Sequence, residues 1–376
     1  MPNVNTRSGN GNGNGGATPT KPMIAPNPFA KAAKAHIETG QTQTITLSAA
    51  QQNLQPFIVP AYGYLREVLL VVTATTAGNA AAVTYNADGP WNVVRNMVLQ
   101  DSGGAQLFQM GGYASWLTQK WGGYAFNGNL AADTRFFSAV TGAGATGGSF
   151  QIAFPITNVF MRDGVGALPN MDASSAYQLF VTTDVLANVY GVLPTNPPSI
   201  TFTIVEIAYN NPPQFDIFKR PNITIPPGIT PEGSSVQYWS SNVFPGLGTG
   251  LNTITINRVG NNIRGQILVF RTAAGARADL INPTDQITYD WDGNNRYLVQ
   301  RNVFDLLTFR EYGYSSDVGV IPLMNIFDPD GRAGNELGQE YMQTVSGTRL
   351  QLRFNLNAAG SCEVLTNDVV LPLFMR

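Results

Sequence analysis

Polar and apolar residues alternate with a period of two over many short segments after Gln41. Between positions 42 and 47, for example, threonines alternate with Gln43, Ile45 and Leu47. A two-residue period predicts β-strands that bury one face. The clearest candidate strands are 65–74, 93–100, 150–156, 177–183 and 200–209. With 39 glycines and 24 prolines to form turns between them, the chain is predicted to be mainly β.

One segment ahead of these strands has the pattern of a short helix instead. Asn27 can cap it, Pro28 suits the first helical position and Gly40 can end it. At helical spacing the apolar residues of 29–38 form one face and the charged residues another. About ten residues are too few for a stable isolated helix, so we expect this segment to dock on its own domain or on a partner.

The first 37 residues differ from the rest in charge and complexity. A Gly/Asn-rich tract at 8–16 cannot bury enough surface to offset its ordering entropy, which predicts a flexible arm. The arm carries a charge of +4, whereas the whole chain carries −2. Such basic arms face acidic surfaces, and the alternative is a solubilising tail. The four cations are Arg7, Lys21, Lys31 and Lys34.

The two halves of the strand-rich region resemble each other. Segment 155–164 matches 322–331, with Pro, Asn, Phe, Asp and Gly identical at the same spacing. Segment 113–124, which has a helical pattern, matches 303–314 without a gap. A third match relates 177–181 to 350–354. The matches differ in their offsets along the chain, which places an insertion in the first copy, where the glycines of 142–148 predict a surface loop.

This repeat is too long for a solenoid, so it predicts a duplicated domain. Two tandem eight-stranded jelly rolls, all-β apart from the short helices, are the favoured architecture, and other sandwiches stay open. We predict an arm with its helix at 1–40, a first roll at 41–211, a proline-rich linker at 212–231 and a second roll at 232–376. The linker is predicted from prolines that cannot donate to a sheet.

The composition excludes several kinds of chemistry. The single histidine, His36, and the single cysteine, Cys362, rule out a His/Cys zinc site and a disulfide framework within one chain. A catalytic triad would require His36. No stretch combines carboxylates with clustered aromatics in a way that indicates a sugar-cleaving cleft. We therefore predict no enzymatic activity, no cofactor and no metal site.

Other local patterns favour structural roles. The acidic segments 290–294 and 328–331 lack the spacing of a calcium loop, so we interpret them as turns between strands. Trp116, Trp121 and Phe304 have the spacing of core residues rather than of a sugar-binding platform. No run of 18 apolar residues and no signal-peptide pattern occurs, so we expect a soluble protein that is not exported by that route.

Segment 88–95, Asp-Gly-Pro-Trp-Asn-Val-Val-Arg, leads into a strand, then a turn at Asp101 and the helix from Tyr113. This region resembles the first roll of the double jelly-roll major capsid proteins of tailless, membrane-containing icosahedral viruses, most closely the tectivirus-like bacteriophages. At the level of architecture, the resemblance extends over 41–376. It implies a homotrimer that tiles the capsid facets.

The resemblance also implies partners and a location. These are neighbouring capsomers, penton or minor capsid proteins, and the lipid of an internal membrane, in a virion assembled in the host cytoplasm, with no sequence-specific nucleic acid. It assigns the short helix to the membrane or lattice side, with Lys31 and Lys34 as headgroup contacts. The complete set of arm residues assigned to this side is Phe29, Lys31, Lys34 and Ile37. A carbohydrate- or receptor-binding β-sandwich, spike or lectin-like, is the alternative.

Overall fold

The computed structural model describes residues 27–28, 33–124, 133–160, 164–210, 219, 224–225, 236–326 and 340–370. They form two β-sandwiches that follow each other along the chain. Within these residues, no helix is both long and apolar enough to cross a membrane.

The first half contains most of the short accessory strands. Its strands are β1 (Asn27–Pro28), β2 (Ala35–Thr46), β3 (Gln52–Asn53), β4 (Phe57–Ile58), β5 (Tyr64–Thr75), β6 (Asn79–Tyr85), β7 (Val94–Gln100), β8 (Gln106–Met110), β9 (Phe137–Ala139), β10 (Gly142–Gly144), β11 (Phe150–Thr157), β12 (Leu168–Pro169), β13 (Gln178–Thr183), β14 (Tyr190–Val192), β15 (Ser199–Tyr209) and β16 (Thr224–Ile225). Its helices are α1 (Gly112–Trp121) and α2 (Leu186–Val189), with 3₁₀ turns at Trp91–Val93 and Ala173–Ser175.

The second half is more compact in sequence. Its strands are β17 (Val236–Leu247), β18 (Gly250–Ile256), β19 (Asn262–Thr272), β20 (Gln286–Trp291), β21 (Asn294–Gln300), β22 (Val320–Met324), β23 (Met342–Gln343), β24 (Leu350–Leu356) and β25 (Gly360–Val370). Its helix is α3 (Arg301–Tyr312).

Both halves have the same strand order. One sheet of the first half runs β2-β15-β5-β11, and its counterpart in the second half runs β17-β25-β19-β22. The opposing sheets run β8-β7-β13, with β3 and β4 on β13, and β21-β20-β24-β18. If the eight principal strands of each half are numbered along the chain, both sandwiches read 1-8-3-6 facing 5-4-7-2. Two tandem eight-stranded jelly rolls are therefore confirmed.

The two rolls share one sheet. Strand β8, the fifth principal strand of the first roll, pairs in parallel with β17, the first strand of the second roll. This pairing joins a sheet from each roll into one ten-stranded sheet. Strand β19 is consequently buried on both faces, because one face packs in the core of its own roll and the other against the first roll. Because both faces of β19 are buried, its sequence lacks the alternation of polar and apolar residues that marks a half-buried strand.

The helix predicted at 29–38 is wrong for the part that the structure describes. Ala35 to Glu38 begin strand β2, where Ile37 pairs with Ile207 of β15. Backbone pairing with a long neighbouring strand outweighs the weak helix propensity of a short segment. The first roll therefore begins at Ala35 rather than at Gln41. Residues 29–32 lie outside the described residues, as does most of the predicted linker 212–231.

Other predicted elements agree with the structure. All five candidate strands are present within one or two residues at each end, and the repeated helical pattern corresponds to α1 and α3. Trp116, Trp121 and Phe304 are buried in the core as predicted. The acidic turn at 290–294 connects β20 to β21, with the Gly293 amide donating to the Asp290 carboxylate at 2.8 Å. Segment 328–331 lies outside the described residues.

One predicted loop has more structure than its sequence indicates. Residues of the glycine-rich segment 142–148 form β10, which pairs with β6 in a three-stranded sheet with β14. Tyr190 of β14 donates its hydroxyl to the Gly148 carbonyl at 2.7 Å. The insertion in the first copy therefore supplies one strand of a separate three-stranded sheet. Within this segment, only positions 145–148 form turns.

Candidate assembly surfaces

The junction between the two rolls is built around a pair of aromatic residues. Phe108 of β8 lies opposite Trp239 of β17 in the parallel pairing, and both are buried. The Trp239 indole donates to the Tyr124 hydroxyl at 2.7 Å, and that hydroxyl donates to the Gln237 side-chain oxygen at 2.8 Å. Because Tyr124 belongs to the first roll and its two partners to the second, these bonds fix the position of one roll against the other.

A buried arginine strengthens the same junction. Arg264, from β19, has no exposed surface, and one guanidinium nitrogen donates to the Gly122 carbonyl at 2.9 Å. The other nitrogen donates to the Asn367 side-chain oxygen at 3.2 Å. Its guanidinium also lies 5.2 Å from the ring centre of Tyr124. A buried cation lowers the stability of the folded state unless it has hydrogen-bond partners. Because the partners of Arg264 come from both rolls, we expect the junction to form as the chain folds.

Ion pairs surround the apolar part of the junction. Asp88 accepts from both Arg271 and Arg277 of the second roll, and Lys120 pairs with Asp317 at 2.8 Å. The Arg277 guanidinium lies 4.4 Å from the ring centre of Tyr113. Burial raises the pKa of the Tyr113 hydroxyl well above its ordinary value, so this residue stays neutral at physiological pH.

Helix α1 is buried by its own roll and by the second roll. Tyr312 of the second roll donates its hydroxyl to the Trp121 carbonyl at 2.9 Å, and the two rings meet edge to face at 4.8 Å. Trp116 is covered within the first roll by Trp91 and Phe137. The matching helix α3 has no comparable cover among the described residues, since its outer face presents large apolar side chains. The exposed residues of this face, called here the α3 face, are Val303, Leu306 and Phe309.

Leu298 of β21 extends the exposed apolar surface beside the α3 face. The strand pairings relate Phe108 to the preceding residue, Tyr297, because Phe108 lies opposite Leu99 and Tyr297 lies opposite Tyr289, which aligns with Leu99. Phe108 is buried against the second roll, whereas Tyr297 is only half-buried and Leu298 is 53% exposed. In the alignment of 113–124 with 303–314, Leu306 corresponds to Trp116 and is 66% exposed. The second roll thus exposes at its far side the positions that the first roll covers at the junction.

Ile37 of β2 is the exposed counterpart, in the first roll, of the buried Trp239 in the second. It pairs with Ile207 of β15, and Trp239 pairs with Asn367 of β25. Ile207 and Asn367 occupy equivalent places, because each stands immediately before a β-bulge in the pairing with the central strand of its sheet. Ile37 therefore has the position in the first roll that Trp239 has in the second. Trp239 is 4% exposed, whereas Ile37 is 68% exposed.

The predicted arm residues are placed as follows. Ile37 lies on edge strand β2, and Lys34 precedes that strand with an exposed side chain. The Lys34 amide donates to the Asn210 side-chain oxygen at 2.5 Å, which fixes its backbone to the end of β15. Phe29 and Lys31 lie outside the described residues. The structure therefore brings Lys34 and Ile37 to one end of one strand and leaves the other two without a described position.

The α3 face and Leu298 were not among the sequence-predicted site residues. The alignment of the two copies contained a signal for the α3 face, because Leu306 stands where Trp116 stands. The sequence does not show which residue of an aligned pair is buried and which is exposed. That depends on the parallel pairing of β8 with β17, which is a contact between distant parts of the chain.

The sequence matches no protein-family model and no curated protein. Solved structures are nevertheless similar in fold over nearly the whole chain. PBCV-1 VP54 has a TM-score of 0.60 at 11% identity, covering 90% of this chain and 94% of that chain. A chain from Sulfolobus Turreted Icosahedral Virus has a TM-score of 0.59 at 14% identity, covering 91% and 92%. The major capsid protein P2 from bacteriophage PM2 has a TM-score of 0.53 at 10% identity, covering 90% and 98%.

These similarities agree with the strand order described above. The chain has the double jelly-roll fold that is found in viral major capsid proteins, and the predicted resemblance is confirmed at the level of fold.

Proposed function

We propose that this protein is a major capsid protein whose homotrimers tile an icosahedral shell. The double jelly roll supports the capsid role, because solved chains with this fold include a major capsid protein of a bacteriophage and chains of other icosahedral particles. The complementary exposure of the two rolls supports the trimer. The protein would then be part of the virion.

The observation that carries the proposal is the unequal cover of equivalent positions. Inside one chain, Phe108 of the first roll packs against Trp239 of the second. The equivalents of these residues are Tyr297, which is only half-buried and lies beside exposed Leu298, and Ile37, which is exposed. If the second roll of one copy packs on the first roll of the next as the rolls pack within a chain, Tyr297 meets Ile37.

Such an interface is head-to-tail, and it closes into a ring when the rotation between rolls permits. Three chains with two similar rolls each give a ring of six similar lobes, which has the near-hexagonal outline needed to tile a surface. Both strands involved are sheet edges, since β2 and β21 each end the order of their sheet. Exposed edges of this kind are sites where another chain can pack.

The composition is consistent with extensive contact between copies. Only 12% of the residues are charged, against about 25% in typical soluble domains. Uncharged polar side chains can be hydrogen-bonded at an interface without the desolvation cost of ions. A protein that buries much of its outer surface in a lattice can therefore have fewer charges than a monomer.

An internal membrane beneath the shell is the finer part of the proposal. The basic arm, including Lys31 and Lys34, would face anionic lipid headgroups, to which each cation near the surface contributes about 1 kcal/mol. Neighbouring capsomers and penton or minor capsid proteins would complete the particle, assembled in the host cytoplasm. The named neighbours infect different hosts, so the tectivirus-like bacteriophage assignment stays a prediction.

The alternative of a glycan-binding β-sandwich has less support. A sugar platform requires accessible aromatic side chains, and all five tryptophans are buried or half-buried. Those of the first roll belong to the packing around α1, where Trp91, Trp116 and Phe137 contact one another.

The experiment is to measure the mass of the purified full-length chain by light scattering and to image it in negative stain. We expect three times the 40.4 kDa protomer mass and a near-hexagonal outline with six lobes. A stable monomer that binds glycans on an array would contradict the proposal and support the alternative.

A further inference from the structure

Three titratable side chains meet at one end of the first roll, where two of them flank Ile37 on β2. His36 and Glu38 lie on β2, and Glu206 lies opposite Glu38 on β15. A nitrogen of His36 and one carboxylate oxygen from each glutamate all lie within 4.8 Å of one another. The His36 ring is held by stacking on Tyr62, with ring centres 3.7 Å apart.

Glu206 is the unusual member of this group. Its side chain points to the core side of β15, in line with buried Phe202 and Ile204, and the residue has no exposed surface. One carboxylate oxygen accepts from the Asn170 amide at 2.9 Å. The second oxygen, Oε2, is buried and has no hydrogen-bond partner among the described residues. A buried carboxylate with a free oxygen costs free energy unless a cation or a proton balances it.

The second roll shows that the fold does not require these charges. The register that relates Ile207 to Asn367 places Thr366 at the position of Glu206. Thr366 lies opposite Ser240, as Glu206 lies opposite Glu38. The same backbone arrangement is therefore stable with uncharged side chains at these positions, and the titratable groups of the first roll are an addition to it.

We infer that His36, Glu38 and Glu206 form a binding site for one divalent transition-metal ion of the Zn²⁺ class. The donor set of one imidazole and two carboxylates suits such an ion, whereas Ca²⁺ and Mg²⁺ prefer oxygen ligands throughout. Two carboxylates and a neutral imidazole supply the charge that balances a divalent cation. The site is called here the β2–β15 site.

The geometry also provides access and a fourth ligand. The side chains of His36 and Glu38 are 30% and 52% exposed, so an ion can enter from solvent and keep a water molecule. Metal–ligand distances of about 2.0–2.2 Å place the donor atoms of a tetrahedral site about 3.4 Å apart. The His36–Glu38 separation is already 3.3 Å, and all three donor atoms lie within 4.8 Å of one another.

The test is calorimetric titration of ZnCl₂ into the tag-free, full-length protein, with MgCl₂ and CaCl₂ as parallel titrants. We expect one Zn²⁺ per chain and no comparable binding of the other two ions. His36→Ala and Glu206→Gln should each weaken Zn²⁺ binding by at least about tenfold. Glu67→Gln is the control, because Glu67 is a carboxylate on the neighbouring strand β5 that bonds Thr157 instead. This control should bind Zn²⁺ like the wild type.

A second measurement identifies the ligand directly. Because the chain has one histidine, ¹⁵N-labelling of histidine gives the signals of a single imidazole. Addition of ZnCl₂ should shift these signals in the wild type, and Glu206→Gln should require at least about tenfold more Zn²⁺ for the same shift. The inference is overturned if no stoichiometric Zn²⁺ binding occurs, or if both variants bind as tightly as the wild type. Either result leaves the trimer proposal untouched.

Discussion

At the scale of single residues, the most informative side chain is Glu206. Burial raises its pKa to about 7, and the Asn170 hydrogen bond and the charge of His36 only partly oppose this. The folded protein therefore holds the proton more tightly than the unfolded chain, whose glutamates titrate at the ordinary 4.5. Without metal, stability should fall as the pH rises from about 4.5 to about 7 and remain lower above that range.

Glu206→Gln removes this pH dependence, because glutamine cannot ionise and keeps the oxygen that accepts from Asn170. In buffer with a chelator, we expect the variant to match the wild type near pH 4 and to be more stable at pH 8. The difference between about 7 and 4.5 corresponds to at most about 3 kcal/mol. Thermal unfolding across this pH range measures it. Parallel stability curves for the two proteins would show that Glu206 titrates normally.

Only part of this site could be predicted from the sequence. The single histidine was visible, but its partners were not, because Glu206 is far from His36 along the chain and reaches it only through the pairing of β2 with β15. One histidine and one cysteine exclude a His/Cys zinc site within one chain but leave carboxylate ligands open. A site of one histidine and two glutamates on paired strands does not appear in a search for local spacing.

At the scale of elements, the strand at Ala35 shows how local propensity misled the prediction. Ala, Lys and His in succession favour a helix, yet Ala35 to Glu38 pair with β15. The duplicated helices were predicted correctly because their pattern occurs twice and each helix packs on a roll. Strand β19 was not among the candidates, which all lie in the first half, and its burial on both faces removes the alternation that identifies a strand.

Because β2 begins at Ala35, a truncation of the arm must end before this residue to leave the first roll intact. A deletion of residues 1–26 leaves β2 intact, so the trimer should form while shell assembly is impaired. A deletion of 1–38 also removes the start of β2, including Ile37, and should lower both stability and trimer content. Melting temperature and native mass distinguish the two truncations. Equal behaviour of both would indicate that Ala35 to Glu38 contribute nothing to the first roll.

The α3 face gives the prediction for an interface element. Leu306→Asp places a charge on an exposed apolar position, so the fold should be retained within about 0.5 kcal/mol while the trimer dissociates. Leu251→Asp is the matched control, because Leu251 is also exposed but lies on β18 at the opposite edge of its sheet. Sedimentation velocity should detect monomers for the first variant and trimers for the second. Trimers in both would exclude the α3 face from the interface.

At the scale of the whole molecule, the chain repeats one fold and covers the two copies unequally. The repeat and the jelly rolls could be predicted from the sequence, because duplicated motifs keep their order and spacing. The joining of the rolls could not, because it rests on β8 meeting β17 and on Arg264, whose partners come from both rolls. At that junction one surface of each roll is buried, while the equivalent surface of the other roll remains exposed.

In the proposed trimer, Ile37 of one copy lies opposite Tyr297 of the next, as Trp239 lies opposite Phe108 within a chain. A disulfide cross-link in Ile37→Cys/Tyr297→Cys tests this contact, since the only native cysteine, Cys362, is buried. Residues opposite each other on paired strands lie close enough for a disulfide. Each single variant is a control, as is Ile37→Cys/Leu251→Cys.

After mild oxidation, a non-reducing gel should show a covalent trimer for Ile37→Cys/Tyr297→Cys and single chains for the controls. The absence of any cross-link between chains, or a ladder extending beyond three chains, would contradict the closed head-to-tail trimer.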